Sequence, residues 1–382
     1  MDDKLIKNLE KAVFRILQAI ENKERIILYG DSDPDGAASV VILEEVLEFL
    51  GNSPCQIYFP NRDELGRGLN IKALNYFSKK TPGLLILMDC GITSLKEVKI
   101  ANKMGFEVII IDHHQCLSSL PPAKIIVNPR QKGDKYPFKE LSSAGLTYKL
   151  VKLLLSEAGK IYPLESLLEL AMIATLADLM VITDENKNIV EEGVLALGYT
   201  ERIGLKSLME ITDLNILGVE EIQQKMIPIL NVGVSKNHLN ETYLLFVEKS
   251  ESKARRLVKT LIKTRELNQE IFQNILEEIN FNFIETNSPI IFMGDSKWPS
   301  FVLGKIASIL SCQHKKPTFV FNKGIKISRG SVRTPKGVDG VKAMVHCKYL
   351  LEHFGGHPQA GGFTIKNENI EEFEQCLIKY FS

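Results

Sequence analysis

The stretch Tyr29–Ser39 reads YGDSDPDGAAS, with aspartates at 31, 33 and 35 and Gly36 directly behind them. Three carboxylates this close repel one another strongly unless a cation holds them. The pattern copies the first half of an EF-hand calcium loop. That loop requires a bidentate glutamate at its twelfth position, and counting from Asp31 this position is Ile42. The preceding residues, RIILY, read as a strand, which also argues against an EF-hand. Two more apolar runs end on chemistry-bearing residues: Asp89 in LILMDCGIT, and Asp112, His113 and His114 in IIIDHHQ. One aspartate after a strand is commonly a helix N-cap. Acids or imidazoles at three successive strand ends point instead to one shared site. A fourth acid, Asp178, interrupts the apolar stretch AMIATLADLMV, where a buried carboxylate needs a partner.

Carboxylates with one or two imidazoles and no thiolate suit a hard divalent ion, Mg2+ or Mn2+, with imidazole favouring Mn2+. At least four carboxylates and a histidine exceed what one ion usually takes from a protein. Two ions about 3.5–4 Å apart, bridged by a carboxylate, are the arrangement suited to phosphoester cleavage. Such a pair activates water and stabilises charge developing on phosphate oxygens.

The elements that must position these groups are legible in the periodicity. ERIILYG, CQIYFP, GLLILMDCG and FEVIIIDHH read as strands. They alternate with helical patterns at GAASVVILEEVLEFLG, SLKEVKIANKMG, SSAGLTYKLVKLLLSEAG and PLESLLELAMIATLADLM. This is the signature of βαβ units and a doubly wound parallel sheet of the α/β class, with ligands beyond the carboxyl ends of the strands. The division expected is a catalytic domain over 1–240, a charged connecting helical segment over 241–285, and a smaller α/β domain over 286–382. In the last, SPIIFMGD and KPTFVFN read as strands, FVLGKIASILSC and VKAMVHCKYLLEHF as helices. EHFGGHPQAGGFTI places four glycines around His357, where exposed backbone amides could cradle a phosphate. KISRGSVRTPKG adds Arg329, Arg333 and Lys336.

The chain has 382 residues with 47 basic and 47 acidic side chains, so no whole-chain basic field draws it to nucleic acid. No run approaches the ~18 apolar residues of a membrane span, and the charged N-terminus is unlike a signal peptide. The six cysteines form no C-x-x-C pair and are expected to be reduced thiols of a cytoplasmic protein.

DSDPDG, MDCGIT, DHH and ATLADLM resemble the four motifs of the DHH phosphoesterase superfamily, and FGGHPQAGGF resembles the glycine-rich motif of its companion DHHA1 domain. YFPNRDELGRGLN, VNPRQKGDKYPFKELSSAGLTYKL, RIGLKSLMEIT, IPILNVG and TRELNQ are similar to its RecJ-like branch of single-strand-specific 5′→3′ exonucleases. The similarity runs from about residue 25 to 370. It implies that Asp33, Asp35, Asp89, His113 and Asp178 ligate two divalent cations, with Asp89 bridging, and that Asp31 is a further ligand or a supporting acid. His114 would stand beside the scissile phosphate as stabiliser or acid, oriented by Asp112. Arg333 and His357, with Gly355 and Gly356, would hold substrate phosphates, and Asn61 and Arg62 would lie on a substrate-facing loop.

Tyr29 stands where relatives often have histidine, Ser235 where they have arginine, and Val332 where they have glycine. Nothing after the glycine-rich motif resembles the OB-fold that longer relatives carry. Weaker affinity for long DNA is therefore expected, with short oligonucleotides, RNA or a recruiting replication or repair protein as other settings. The function implied is release of mononucleotides from single-stranded DNA in repair, recombination or replication. Two other readings stand beside it: an oligoribonuclease or nucleotide phosphatase, and a non-catalytic factor associated with a replication helicase.

Overall fold

Strands β1 (Ile26–Gly30), β2 (Gln56–Tyr58), β3 (Gly83–Met88), β4 (Phe106–Ile111) and β5 (Ile125–Val127) form one sheet in the order β2-β1-β3-β4-β5. All its pairings are parallel. The structure is a computed structural model and describes residues 2–52, 54–66, 68–116, 119–215, 218–282 and 287–382. The strands are apolar on both sides because helices cover both faces. Alternate residues divide between two cores. Leu28, Ile86 and Ile111 pack with the helices Leu9–Glu21, Pro34–Phe49, Ser143–Glu157 and Glu165–Ala177. Ile27, Leu87 and Ile110 pack with the helices Ile71–Phe77 and Leu95–Lys103. This is the doubly wound architecture expected from the alternating pattern.

The chain divides into two compact units, Met1–Arg265 and Glu266–Ser382. The segment 241–285 therefore does not stand apart. Its helix Glu241–Val247 puts Tyr243, Leu245 and Phe246 into the first unit's core, and the helix Glu251–Asn282 runs across the division. A two-stranded ribbon, β6 (Ser235–Lys236) and β7 (Leu239–Asn240), also belongs to the first unit.

The second unit is a five-stranded sheet in the order β11-β12-β10-β9-β8, from β8 (Ile291–Asp295), β9 (Thr318–Asn322), β10 (Ile327–Arg333), β11 (Leu351–His357) and β12 (Ala360–Lys366). Only β8 and β9 pair in parallel. Val332, Phe363 and Ile365 face a core completed by the helices Gly340–His346 and Ile370–Phe381. Ile291 and Val320 point to the opposite side, against the helix Ser300–His314 and Phe272, Ile275 and Ile279 of the long helix.

Two expectations are corrected here. The helix read over VKAMVHCKYLLEHF stops at His346, and Leu351–His357 is strand β11. The glycine-rich segment is accordingly a β-hairpin, not a free turn: Gly355 and Gly356 pair with Gly362 and Gly361 across the ladder. The second concerns the thiols. Cys347, which caps the short helix, and Cys376 on the final helix are joined as a disulfide. They are 29 residues apart in sequence but 6.1 Å apart at Cα, a proximity that spacing alone does not disclose.

Candidate metal centre

Three of the acids are the residues that immediately follow a strand. The backbone amide of Asp31 donates to the Met88 carbonyl at 3.2 Å, that of Asp89 to Ile111 at 2.9 Å, and that of Asp112 to Val127 at 3.1 Å. The ladder thus runs one residue beyond β1, β3 and β4 and fixes where each carboxylate begins. In this strand order the direction of winding reverses between β1 and β3, where α/β sheets hold their ligands. Gly36 completes the loop. A Cβ there would sit 2.2 Å from the Asp31 carbonyl oxygen, so the helix start can approach only as glycine.

Asp33 caps the helix Pro34–Phe49, accepting from the Gly36 amide at 2.9 Å. The ordinary N-cap role and a place in the cluster therefore coexist. Asp35 is buried, and its two oxygens accept the amides of Ser143 (2.8 Å) and Ala144 (2.7 Å). These amides open the helix Ser143–Glu157, whose N-terminus favours negative charge. His113, 1% exposed, has Nδ1 3.1 Å from the Leu141 carbonyl oxygen. A carbonyl can only accept, so Nδ1 carries the proton. The Nε2 lone pair then faces Asp89 at 3.4 Å, Asp178 at 3.4 Å and Asp35 at 3.8 Å. Metal-ligating histidines are held in this way.

His114 is fixed by Asp112. One carboxylate oxygen accepts the His114 amide at 2.9 Å and contacts its Nδ1 at 2.8 Å, while the other accepts the Ile92 amide at 3.0 Å. Burial pushes the Asp112 carboxyl up, but the charge and hydrogen bonds of His114 outweigh it, bringing it to about 2. With Nδ1 held by Asp112, Nε2 is the ring nitrogen of His114 that can serve a substrate.

Asp89 sits at φ 60°, a left-handed backbone that residues other than glycine adopt at a cost. Its Oδ1 is buried and has no hydrogen-bond partner. Burial, then the charges of Asp35, Asp33, Asp31 and Asp178, push its carboxyl well above the usual range. Burial, then Asp178 and Asp33, do the same to Asp35, against the two amides. The orphaned buried oxygen and the mutual repulsion are what bound cations would relieve, and backbone strain of this kind gathers at functional sites. Three sets offer ligand atoms within 4.8 Å of one another: Asp31, Asp33 and Asp89; Asp35, His113 and Asp178; and Asp89, His113 and His114. Asp89 and His113 are each shared between two sets, so the donor chemistry fits more than one divalent ion.

Asp178 departs from the expectation of a carboxylate buried within an apolar helix. It is the C-cap of the helix Glu165–Ala177, with a side chain 35% exposed. The apolar run ends at the site rather than enclosing it. Arg62, expected to face substrate, forks onto two of the acids: Nε donates to Asp31 at 2.7 Å and Nη2 to Asp33 at 2.7 Å. Asn61 beside it donates to Glu64 at 3.4 Å. Cys90 is buried, and burial followed by the charge of Asp31 pushes its thiol up, which leaves it inert.

Sequence reasoning missed the supports: the Leu141 carbonyl behind His113 and the Ser143 and Ala144 amides beneath Asp35. The available signal was Ser142, a helix N-cap that accepts the Gly145 amide.

In the second unit, Arg333 of β10 lies over Gly304, whose Cβ would be 3.1 Å from Nη2. Arg333, Ala360 and His357 are paired in register across β10, β12 and β11. The two glycines before His357 differ. Gly356 (φ 129°) is required by its backbone, since a Cβ would strike the Ala360 carbonyl oxygen at 2.4 Å. At Gly355 a Cβ would meet nothing within 4 Å, so the sheet surface there is open.

Residues 25–175 match the family model of the DHH family N-terminal domain, and residues 287–382 that of the DHHA1 domain. The chain carries a DHH-family N-terminal domain and a DHHA1 domain. It is 32% identical over 381 residues to a single-stranded-DNA-specific exonuclease RecJ of Bacillus subtilis, covering 97% of this chain and 47% of the relative. It is 28% identical to the RecJ of Haemophilus influenzae, covering 97% and 68%. The chain thus spans about half the length of the first of these curated relatives. A crystal structure of exonuclease RecJ bound to manganese superposes with a TM-score of 0.82 at 25% identity, covering 98% of this chain and 94% of that one. Among the described residues, no helix is long and apolar enough to cross a membrane.

Proposed function

We propose that this protein is a metal-dependent exonuclease that hydrolyses single-stranded DNA from the 5′ end and releases mononucleotides. The observation that carries this is the convergence of Asp31, Asp33, Asp35, Asp89, His113, His114 and Asp178 into overlapping ligand sets at the carboxyl ends of β1, β3 and β4. Asp33, Asp35, Asp89, His113 and Asp178 would hold two divalent cations, Mn2+ before Mg2+, with Asp89 shared and Asp31 supporting. When bound, the cations supply an activated water and neutralise charge on the phosphate.

The chain's own residues do the rest. His113 presents Nε2 because Leu141 holds the opposite nitrogen. His114, locked by Asp112, turns Nε2 toward the phosphate to stabilise its charge or protonate the leaving oxygen. Asp112 stays ionised at neutral pH, being held near 2, and so keeps the His114 tautomer fixed. Arg62 has a planar fork suited equally to carboxylate and phosphate. Arg333 and His357, with the open backbone at Gly355, hold substrate phosphates, and Asn61 supports the short helix Arg62–Leu65 through Glu64. The setting is DNA repair, recombination or replication in the cytoplasm, with a replication or repair protein as partner.

The test is incubation with Mn2+ and end-labelled strands of DNA and RNA, with and without a 5′ phosphate. Mononucleotides from the 5′ end of long single-stranded DNA are expected. Cleavage confined to RNA of a few residues, or binding without hydrolysis, would overturn the proposal.

A further inference from the structure

Register within the second unit places side chains in rows. Residues paired across antiparallel strands point to the same side, and alternate residues along a strand do too. Three rows result on the face that carries Arg333: Arg333–Ala360–His357, then Ser331–Gly362–Gly355, then Arg329–Thr364–His353. The residues between them, Val332, Phe363 and Phe354, turn to the opposite side and join the core. The outer rows each pair an arginine on β10 with a histidine on β11. The middle row has two glycines and a serine, and the Gly355 position opens onto free space. His353 is exposed, and Arg329, Thr364 and His357 are half-buried. None of the nine residues in the rows is acidic. The nearest carboxylate on β11 is Glu352, at the irregularity before His353, and it pairs with Lys366 at 3.8 Å.

We propose that Arg329 and His353, with Thr364, form a second phosphate-binding row, so that the β10-β12-β11 face carries an extended single DNA strand with phosphates on both outer rows. The rows are four residues apart along the strands, about 13 Å at ~3.3 Å per residue, a span comparable to two phosphodiester steps of an extended strand. The flat glycine row between them leaves room for the intervening nucleotide. An arginine fork engages a phosphate by charge-assisted hydrogen bonds, and the threonine hydroxyl adds a neutral donor. The inference rests on the reading of Arg333 and His357 as phosphate contacts and extends it to strand length.

The experiment compares wild type with the double variant Arg329→Gln, His353→Gln. Fluorescence anisotropy with 3′-labelled oligothymidylates of two and twelve residues is measured in EDTA over a salt series, and a thermal melt checks the fold. The twelve-residue strand should bind the variant about tenfold more weakly, with the two-residue strand little changed. The slope of log affinity against log salt should fall by ~0.7 for each phosphate that the variant no longer neutralises. Equal weakening of both lengths, or an unchanged salt slope, would overturn the second row. If wild type with Mn2+ leaves DNA strands intact, the proposed exonuclease function fails separately, because the binding comparison needs no hydrolysis.

Discussion

Asp89→Asn is expected to make the metal-stripped protein more stable and the Mn2+-loaded protein inactive. In the wild type this carboxylate is buried, its Oδ1 has no hydrogen-bond partner, and its backbone is at φ 60°. Asparagine tolerates left-handed backbone better than most residues, relieving part of a strain of about 1 kcal/mol. It also removes one of the charges crowded with Asp31, Asp33, Asp35 and Asp178. A like-charge pair at ~4 Å is worth about 4 kcal/mol at an effective dielectric of ~20. Arg62, already paired with Asp31 and Asp33, offsets much of that, so a net gain of about 1–3 kcal/mol is expected. At roughly 2–4 °C per kcal/mol for a domain of this size, melting in EDTA should rise by ~2–12 °C. Titrating Mn2+ should raise the melting temperature of the wild type and leave the variant nearly unmoved. A variant that melts below wild type in EDTA, or that gains as much as wild type from Mn2+, refutes the reasoning.

Glu44 gives a pH dependence away from the site. Burial, with Glu48 and Glu45 adding and the hydrogen bond from Tyr243 opposing, raises its carboxyl to about 7. A raised carboxyl contributes stability present below its unfolded value of 4.5 and lost as pH rises through about 7. Urea unfolding should show Glu44→Gln gaining on wild type by about 2 kcal/mol between pH 5 and pH 8, and parallel pH profiles would contradict this. Leu179 occupies a position after the helix Glu165–Ala177 where glycine is preferred, at φ 54° and 79% exposed. Leu179→Gly should therefore raise stability by about 1 kcal/mol, read as a shifted urea midpoint. Asp112→Asn should keep Mn2+ binding but slow strand cleavage by ~10–100-fold, because His114 loses the group that fixes its tautomer. Unchanged turnover would remove His114 from the chemistry.

The parallel sheet and most of the cluster were legible because they depend on local patterns. Apolar runs bounded by Asp31, Asp89 and Asp112 mark strand ends, and a buried acid at such an end has few cheap explanations. What was not legible depends on distant chain segments meeting. The Leu141 carbonyl behind His113 and the amides of Ser143 and Ala144 under Asp35 are backbone groups, invisible in residue type. Arg62 reaches Asp31 and Asp33 from the start of the short helix Arg62–Leu65, 29 to 31 residues away. The join between Cys347 and Cys376 and the strand over Leu351–His357 were hidden for related reasons. The first needs two helices to pack together. The second follows a helical period that the ladder with β12 overrides.

Mn2+ bound per chain, counted by equilibrium dialysis of the purified protein at neutral pH, tests the central claim most directly. The account predicts two ions for wild type and fewer for Asp89→Asn. Wild type that retains none, or a variant that retains the same two, would contradict it.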